Sequence, residues 1–173
     1  MKTKIVSAAD AIALINDGDT LVCSGFGMVG VPDELLVALE QRFLETALPR
    51  NLHLLFGGGP GDGREQGLNR IAREGLVASA IGGHWGLVPK LGAMAMANAI
   101  AAYNLPLGVI SHMYRDIAAG LPGNVSAVGL GTFVDPRLQG GKINARTTEE
   151  IVEVITLGGR ELLFYKAPKP NVA

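Results

Sequence analysis

Two glycine clusters in this 173-residue chain have a spacing that suits chemistry. The first is Gly25-x-Gly27-x-x-Gly30, which follows the apolar run Thr20-Leu21-Val22-Cys23. The second is Gly129-Leu130-Gly131-Thr132-Phe133, after Ser126-Ala127-Val128. Glycine lets a backbone turn tightly and approach a ligand without a side chain between them. The first cluster has the spacing of a dinucleotide-binding fingerprint, which also needs an acidic residue about 20 positions on, at the end of the second strand. The second apolar strand here, Asn51 to Phe56, ends in Gly57-Gly58-Gly59, and Glu45 falls before it. The following helix starts at Pro32, after all three glycines rather than inside the motif. The pattern therefore argues against NAD or FAD. The loop either contacts another ligand or only makes a tight turn.

The nucleophiles and bases are scattered. Cys23, the sole cysteine, lies in an apolar strand and reads as a buried structural thiol. His53, His84 and His112 show no ligand spacing with each other or with acids, so no metal is expected. His84-Trp85, between glycines, either lines a pocket or fills a gap. Most glutamates fall on helix faces or caps. Glu65 stands in a glycine loop after a strand, a plausible place for function.

The elements that must position these residues can be read from period and punctuation. Ser7 caps a helix that Gly18 stops, with Asp10 as a weak capping box. Pro32 opens a second helix with Asp33 and Glu34 in its first turn, where acids favour the dipole. Strands are predicted at Asn51–Phe56 and Leu76–Gly83. Helices are predicted at Val88–Tyr103 and Gly108–Gly120. Ser126–Pro136 begins as a strand and becomes a glycine loop. Thr147-Thr148-Glu149-Glu150 reads as a capping box for a short turn, and Val152–Tyr165 as a hairpin turning at Gly158-Gly159. Apolar strands alternating with helices predict an α/β fold: three layers, α/β/α, around a largely parallel sheet. The chain reads as a single domain over 1–173 that breaks off where another strand could begin.

Composition narrows the function. Hydrophobic residues make up 48% and charged residues 18%, enough apolar material for a core. The longest uncharged stretch, Leu91 to Tyr114, is broken by Asn98, Asn104, Pro106 and His112, so no membrane span is expected. The start of the chain does not read as a signal peptide. Fifteen basic and sixteen acidic residues give a net charge of -1 without a basic cluster, so no nucleic-acid partner is expected. One cysteine fits a reducing cytoplasm.

A longer pattern carries more. Asp17, Gly18, Gly25, Phe26, Gly30 and Pro32 match, in order, the amino-terminal signature of family I coenzyme A transferases, with Ser24 in place of the first glycine of a pair. Further segments, among them Gly83-His84-Trp85-Gly86, Ser111-His112-Met113-Tyr114 and Gly129 to Asn144, are similar to the propionate, acetate or 3-oxoacid members. The resemblance covers the whole chain. It implies transfer of CoA between a short-chain acyl-CoA and a carboxylic acid through a glutamyl-CoA thioester, with no cofactor besides the CoA esters. It also implies a homo-oligomer. The family's nucleophile lies in a Ser-Glu-Asn-Gly type motif of the carboxyl-terminal half, and the flanks of Glu65 do not resemble it, so no catalytic residue is expected here. What this part should supply is the facing wall. The candidate substrate-binding residues are Gly25, Phe26, Gly27, Met28, Gly30, Leu107, Gly129, Gly131, Thr132 and Phe133. Leu107 occupies a place where the family commonly has glutamine. Two other readings stay open: a non-catalytic metabolite-binding module of the same fold, and an acyl-CoA hydrolase.

Overall fold

The computed structural model describes residues 4–173. Its centre is a four-stranded parallel sheet: β1 (Thr20–Val22), β2 (Leu52–Phe56), β3 (Val77–Gly82) and β4 (Ala101–Asn104), in that spatial order. Strands laid down in chain order by right-handed crossovers put every connection on one face. That face carries α1 (Ala8–Ile12), α2 (Asp33–Thr46) and α3 (Pro89–Met96). Leu36 and Leu39 of α2 and Leu91 and Ala95 of α3 pack there against Leu52, Leu54, Phe56, Ala80 and Ala102 of the sheet. The period of two in β2 sends the intervening Leu55 to the other face.

The other face is covered by α4 (Leu107–Ala118) and by an antiparallel sheet of β5 (Gly123–Ser126), β6 (Val152–Leu157) and β7 (Arg160–Lys166), ordered β5-β7-β6. Val109, Ile110 and Met113 of α4 join Tyr103, Leu163 and Tyr165 in this second core. The α/β class and the parallel sheet are therefore as expected, while one outer layer mixes a helix with strands.

Local signals explain most boundaries. Ser7 Oγ accepts from Asp10 N–H at 3.1 Å, as a cap should. Pro32 stands one place earlier than a first-turn residue, at the cap position of α2. Gly158 and Gly159 both have positive φ, 58° and 74°, which suits the two-residue turn between β6 and β7.

Three expectations need correction. The predicted helix from Val88 to Tyr103 ends at Met96, and Ala101–Asn104 is strand β4. Asn98, at φ 55°, breaks the alanine-rich run that sequence reading carried through. The strand expected at Ser126 lies earlier, at Gly123–Ser126. Thr147 caps no helix. Its hydroxyl is buried and bonds Ala102 on both sides, accepting its N–H at 2.7 Å and donating to its carbonyl at 3.1 Å. It ties the later loop to β4.

Among the described residues no helix is long and apolar enough to cross a membrane.

Candidate functional site

The carboxyl ends of all four parallel strands open into glycines or a proline turn. β1 leads to Gly25–Gly30, β2 to Gly57-Gly58-Gly59, β3 to Gly82-Gly83, and β4 to Leu105-Pro106. In open α/β sheets ligands bind beyond these ends.

The first loop is a tight turn. Phe26 and Val29 exchange two backbone hydrogen bonds of 3.1 Å across Gly27-Met28, and Gly27 has φ 58°. The turn leans on the second loop, where Phe26 bridges to Gly58. A methyl group on Gly58 would lie 2.8 Å from the Gly25 carbonyl oxygen. It also reaches the third loop, with the Phe26 and His84 rings 5.9 Å apart. Gly83 in turn lies against α4, since a methyl there would come within 2.9 Å of Leu107 Cα and 2.5 Å of the Gly57 carbonyl oxygen. Such approaches tolerate only glycine.

On the far side of Gly83 lies a cleft of about 310 Å³, lined by Gly83, Asn104, Leu105, Pro106, Val128, Gly129, Thr132, Phe133 and Val134. The structure thus brings Gly129, Thr132 and Phe133 to the end of β4. Leu107 stands beside the cleft at the first position of α4, 42% exposed. Gly25, Phe26, Gly27, Met28, Gly30 and Gly131 are not among the cleft's walls. Phe26, Val29, Val128 and Phe133 are also exposed, so this end of the sheet presents an apolar rim. Asn104, which sequence reading passed over, holds the rim together: with its side-chain amide oriented to donate, it reaches the carbonyls of Gly82 and Gly83 at 3.1 and 3.3 Å.

The second glycine loop is pinned by Asp135, which is 1% exposed. Its carboxylate accepts from the Gly131 N–H at 2.9 Å and from Arg137 Nη2 at 2.7 Å and Nε at 2.9 Å. The Arg137 bonds, then the Gly131 amide, hold this carboxyl well below the usual carboxylate range. A depressed folded value stabilises the fold fully above the ordinary aspartate pKa of about 3.9 and loses that contribution as pH falls through the folded value. The half-exposed Arg137 is screened by water, which moderates the effect. The Asp135→Asn variant should melt lower at pH 7, with the gap to the parent closing below about pH 4. Melting both proteins from pH 7 to pH 2 checks this; a constant gap would mean that Asp135 does not titrate with folding.

Other groups fall into place around this end. Cys23 is buried beneath the first loop, and burial pushes its thiol up to about 12, so it is no nucleophile at neutral pH. The Tyr114 hydroxyl lies buried under Gly57. Trp85 packs edge-on against Phe56, ring centroids 5.3 Å apart, so the His84-Trp85 pair divides between surface and core. Glu65-Gln66-Gly67 has a glutamate-x-glycine spacing, but the Glu65 carboxylate is exposed and pairs with Lys90. It does not line the cleft. A separate groove of about 420 Å³ runs beside β1 between α1, α2 and Val172. It is mainly apolar, and its polar residues Asn16, Asp19 and Asn171 are bonded to one another, so it is the weaker candidate. Among the described residues no cluster of His, Cys, Asp or Glu could hold a metal ion.

An open parallel sheet with backbone loops gathered at its strand ends, and an apolar rim around them, defines an α/β protein whose candidate site lies at that end. Residues 5–173 match the Coenzyme A transferase family, and the chain belongs to it. It is 46% identical over 170 residues to the caffeate CoA-transferase of Acetobacterium woodii, covering 98% of this chain and 32% of that one. It superposes with TM-score 0.94 on the crystal structure of the acyl-CoA transferase YdiF from Escherichia coli O157:H7, a thioester complex with CoA, at 41% identity over 96% of this chain and 33% of that one. It is also 29% identical over its whole length to the acetate CoA-transferase subunit alpha of Escherichia coli (strain K12), of which it covers 69%. The chain spans about a third of the length of the first two relatives.

Proposed function

We propose that this chain forms the substrate-facing wall of a CoA-transferase that moves CoA between a short-chain acyl-CoA and a carboxylic acid. The observation that carries the reading is the gathering of glycine loops at the parallel strand ends, with the ends of β3 and β4 and the Gly129–Phe133 loop walling an apolar cleft without a glutamate in it. The attacking glutamate then belongs to a carboxyl-terminal half, on the same chain or on a partner. Its carboxylate attacks the thioester carbonyl. A C–O bond forms, the C–S bond breaks, and CoA leaves as thiolate. The thiolate attacks the glutamyl carbonyl of the resulting anhydride and releases the donor acid as carboxylate. The acceptor acid runs these steps backwards. The wall's part is to offer backbone N–H groups to the developing oxyanion and to exclude water. Gly25, Phe26, Gly27, Met28, Gly30, Leu107, Gly129, Gly131, Thr132 and Phe133 are assigned to it. CoA esters are substrates, and no further cofactor enters. The reading places the enzyme in the cytoplasm as an oligomer.

The test is a transfer assay from propionyl-CoA to labelled acetate. The isolated chain should give no transfer, and adding a nucleophile-bearing half should give it. Transfer by the isolated chain that vanishes in Glu65→Ala would put the nucleophile in this chain and overturn the division of labour.

A further inference from the structure

Of the three histidines, His84 is the one at the strand-end site, and the mechanism above gives it no part. It is exposed and lies two residues beyond β3. Its ring is bounded by neighbours that fix its place. Phe26 lies 5.9 Å away, centroid to centroid, at 39°. A methyl on Gly59 would come within 2.7 Å of Nδ1, and one on Gly86 within 3.2 Å of Cε1. Among the described residues neither ring nitrogen has a hydrogen-bond partner. His53, by contrast, has its Nδ1 2.7 Å from Ser79 Oγ. An exposed imidazole bordered by Phe26, Gly59 and Gly86, and without a protein hydrogen-bond partner, can donate an N–H to a ligand.

Its surroundings select the ligand. Phe26 is 59% exposed and Val29 83% exposed, so the surface around the ring is apolar. Of the cations in the neighbouring segments, Lys90 is paired with Glu65 and Arg70 with Asp33, while the Arg64 side chain makes no ion pair among the described residues. One N–H donor beside an apolar surface matches a monocarboxylate with a short hydrocarbon chain, its oxygen on the ring and its chain along Phe26. A phosphate, with several charged oxygens, asks for more donors than that.

We propose that His84 is a substrate-binding residue, whose imidazole N–H donates to a carboxylate oxygen of the acid at the strand-end site. The proposal rests on the transferase reading, and its test is independent of turnover. The three histidines give three Hε1 resonances in the NMR spectrum of the chain, and His84→Gln assigns the relevant one. Titration with propionate at constant ionic strength and pH should move the His84 resonance saturably, at least three-fold further than those of His53 and His112. Phe26→Ala, whose fold is checked by its melting curve, should weaken the apparent affinity at least three-fold. Equal drift of all three resonances would overturn the proposal. So would an equal response to inorganic phosphate. If the complete protein shows no CoA transfer while the propionate response persists, the transferase reading fails and the carboxylate contact stands. If transfer is present and the response absent, the His84 assignment alone fails.

Discussion

Gly67→Ala should lower the melting temperature of this chain by roughly 5–15 °C. Gly67 has φ 68°, where an alanine costs about 1–2 kcal/mol. Its added methyl would also lie 2.2 Å from the Pro60 carbonyl oxygen and 2.7 Å from Gly61 Cα. Both neighbours are backbone, so no rotamer change relieves the contact. Overpacking of this kind costs about 1–3 kcal/mol more. The backbone there is held in place on several sides. The Gly67 N–H donates to Asp33 at 2.8 Å, Leu68 N–H donates to the Pro60 carbonyl at 2.8 Å, and Arg70 grips the same Asp33 with two bonds. Gly18→Ala is the control. It has φ 76° but open space where the methyl would go, so it should show the strain alone, roughly 2–8 °C. Melting curves by circular dichroism compare the two. Equal losses would mean that the loop yields to the methyl and is not rigidly packed.

Within a complete transferase, Leu107→Gln should shift the ratio of kcat/KM for acetoacetyl-CoA over butyryl-CoA about ten-fold toward the 3-oxoacyl substrate. Leu107 opens α4 directly after Pro106, which lines the cleft, and its backbone lies against Gly83. Its side chain is part of the apolar rim and offers no donor to a keto oxygen. A missing hydrogen bond to a buried polar group costs roughly 1–3 kcal/mol, and about 1.4 kcal/mol is ten-fold. Glutamine restores a donor amide at the same place. Steady-state kinetics with both thioesters on both proteins measure the ratio. A ratio that stays constant would remove Leu107 from the acyl pocket.

How much of this was legible in the sequence depended on whether the signal was local. Caps and glycines act over a few residues, so Ser7 and Gly158-Gly159 announce the start of α1 and the hairpin turn. The glycines at the ends of β1 and β2 stood out for the same reason. β4 was hidden because Ala-Met-Ala-Met-Ala-Asn-Ala-Ile-Ala-Ala satisfies a helical pattern as well as a buried strand, and only the left-handed turn at Asn98 separates them. Thr147 looked like a cap because a hydroxyl followed by acids usually is one, whereas its partner is a backbone 45 residues away. The site followed the same division. Each glycine loop could be suspected alone. That Gly83, Asn104 and Phe133 share one cleft is a fact of tertiary structure with no local trace.

The order β1-β2-β3-β4 has a consequence for how the chain reaches its fold. Each strand pairs with the one synthesised just before it, so the sheet can grow strand by strand as the polypeptide leaves the ribosome. Every closure then spans only one intervening segment, and the entropy lost in closing a loop stays small. The β6–β7 hairpin is more local still. The long-range exception is the Asn171-Val172 segment, whose side chain and backbone bond Thr20 and Val22 at the start of the sheet. The Thr20–Asn171 bond spans 151 positions, far more than any pairing between neighbouring strands, and it ties down the outer side of β1.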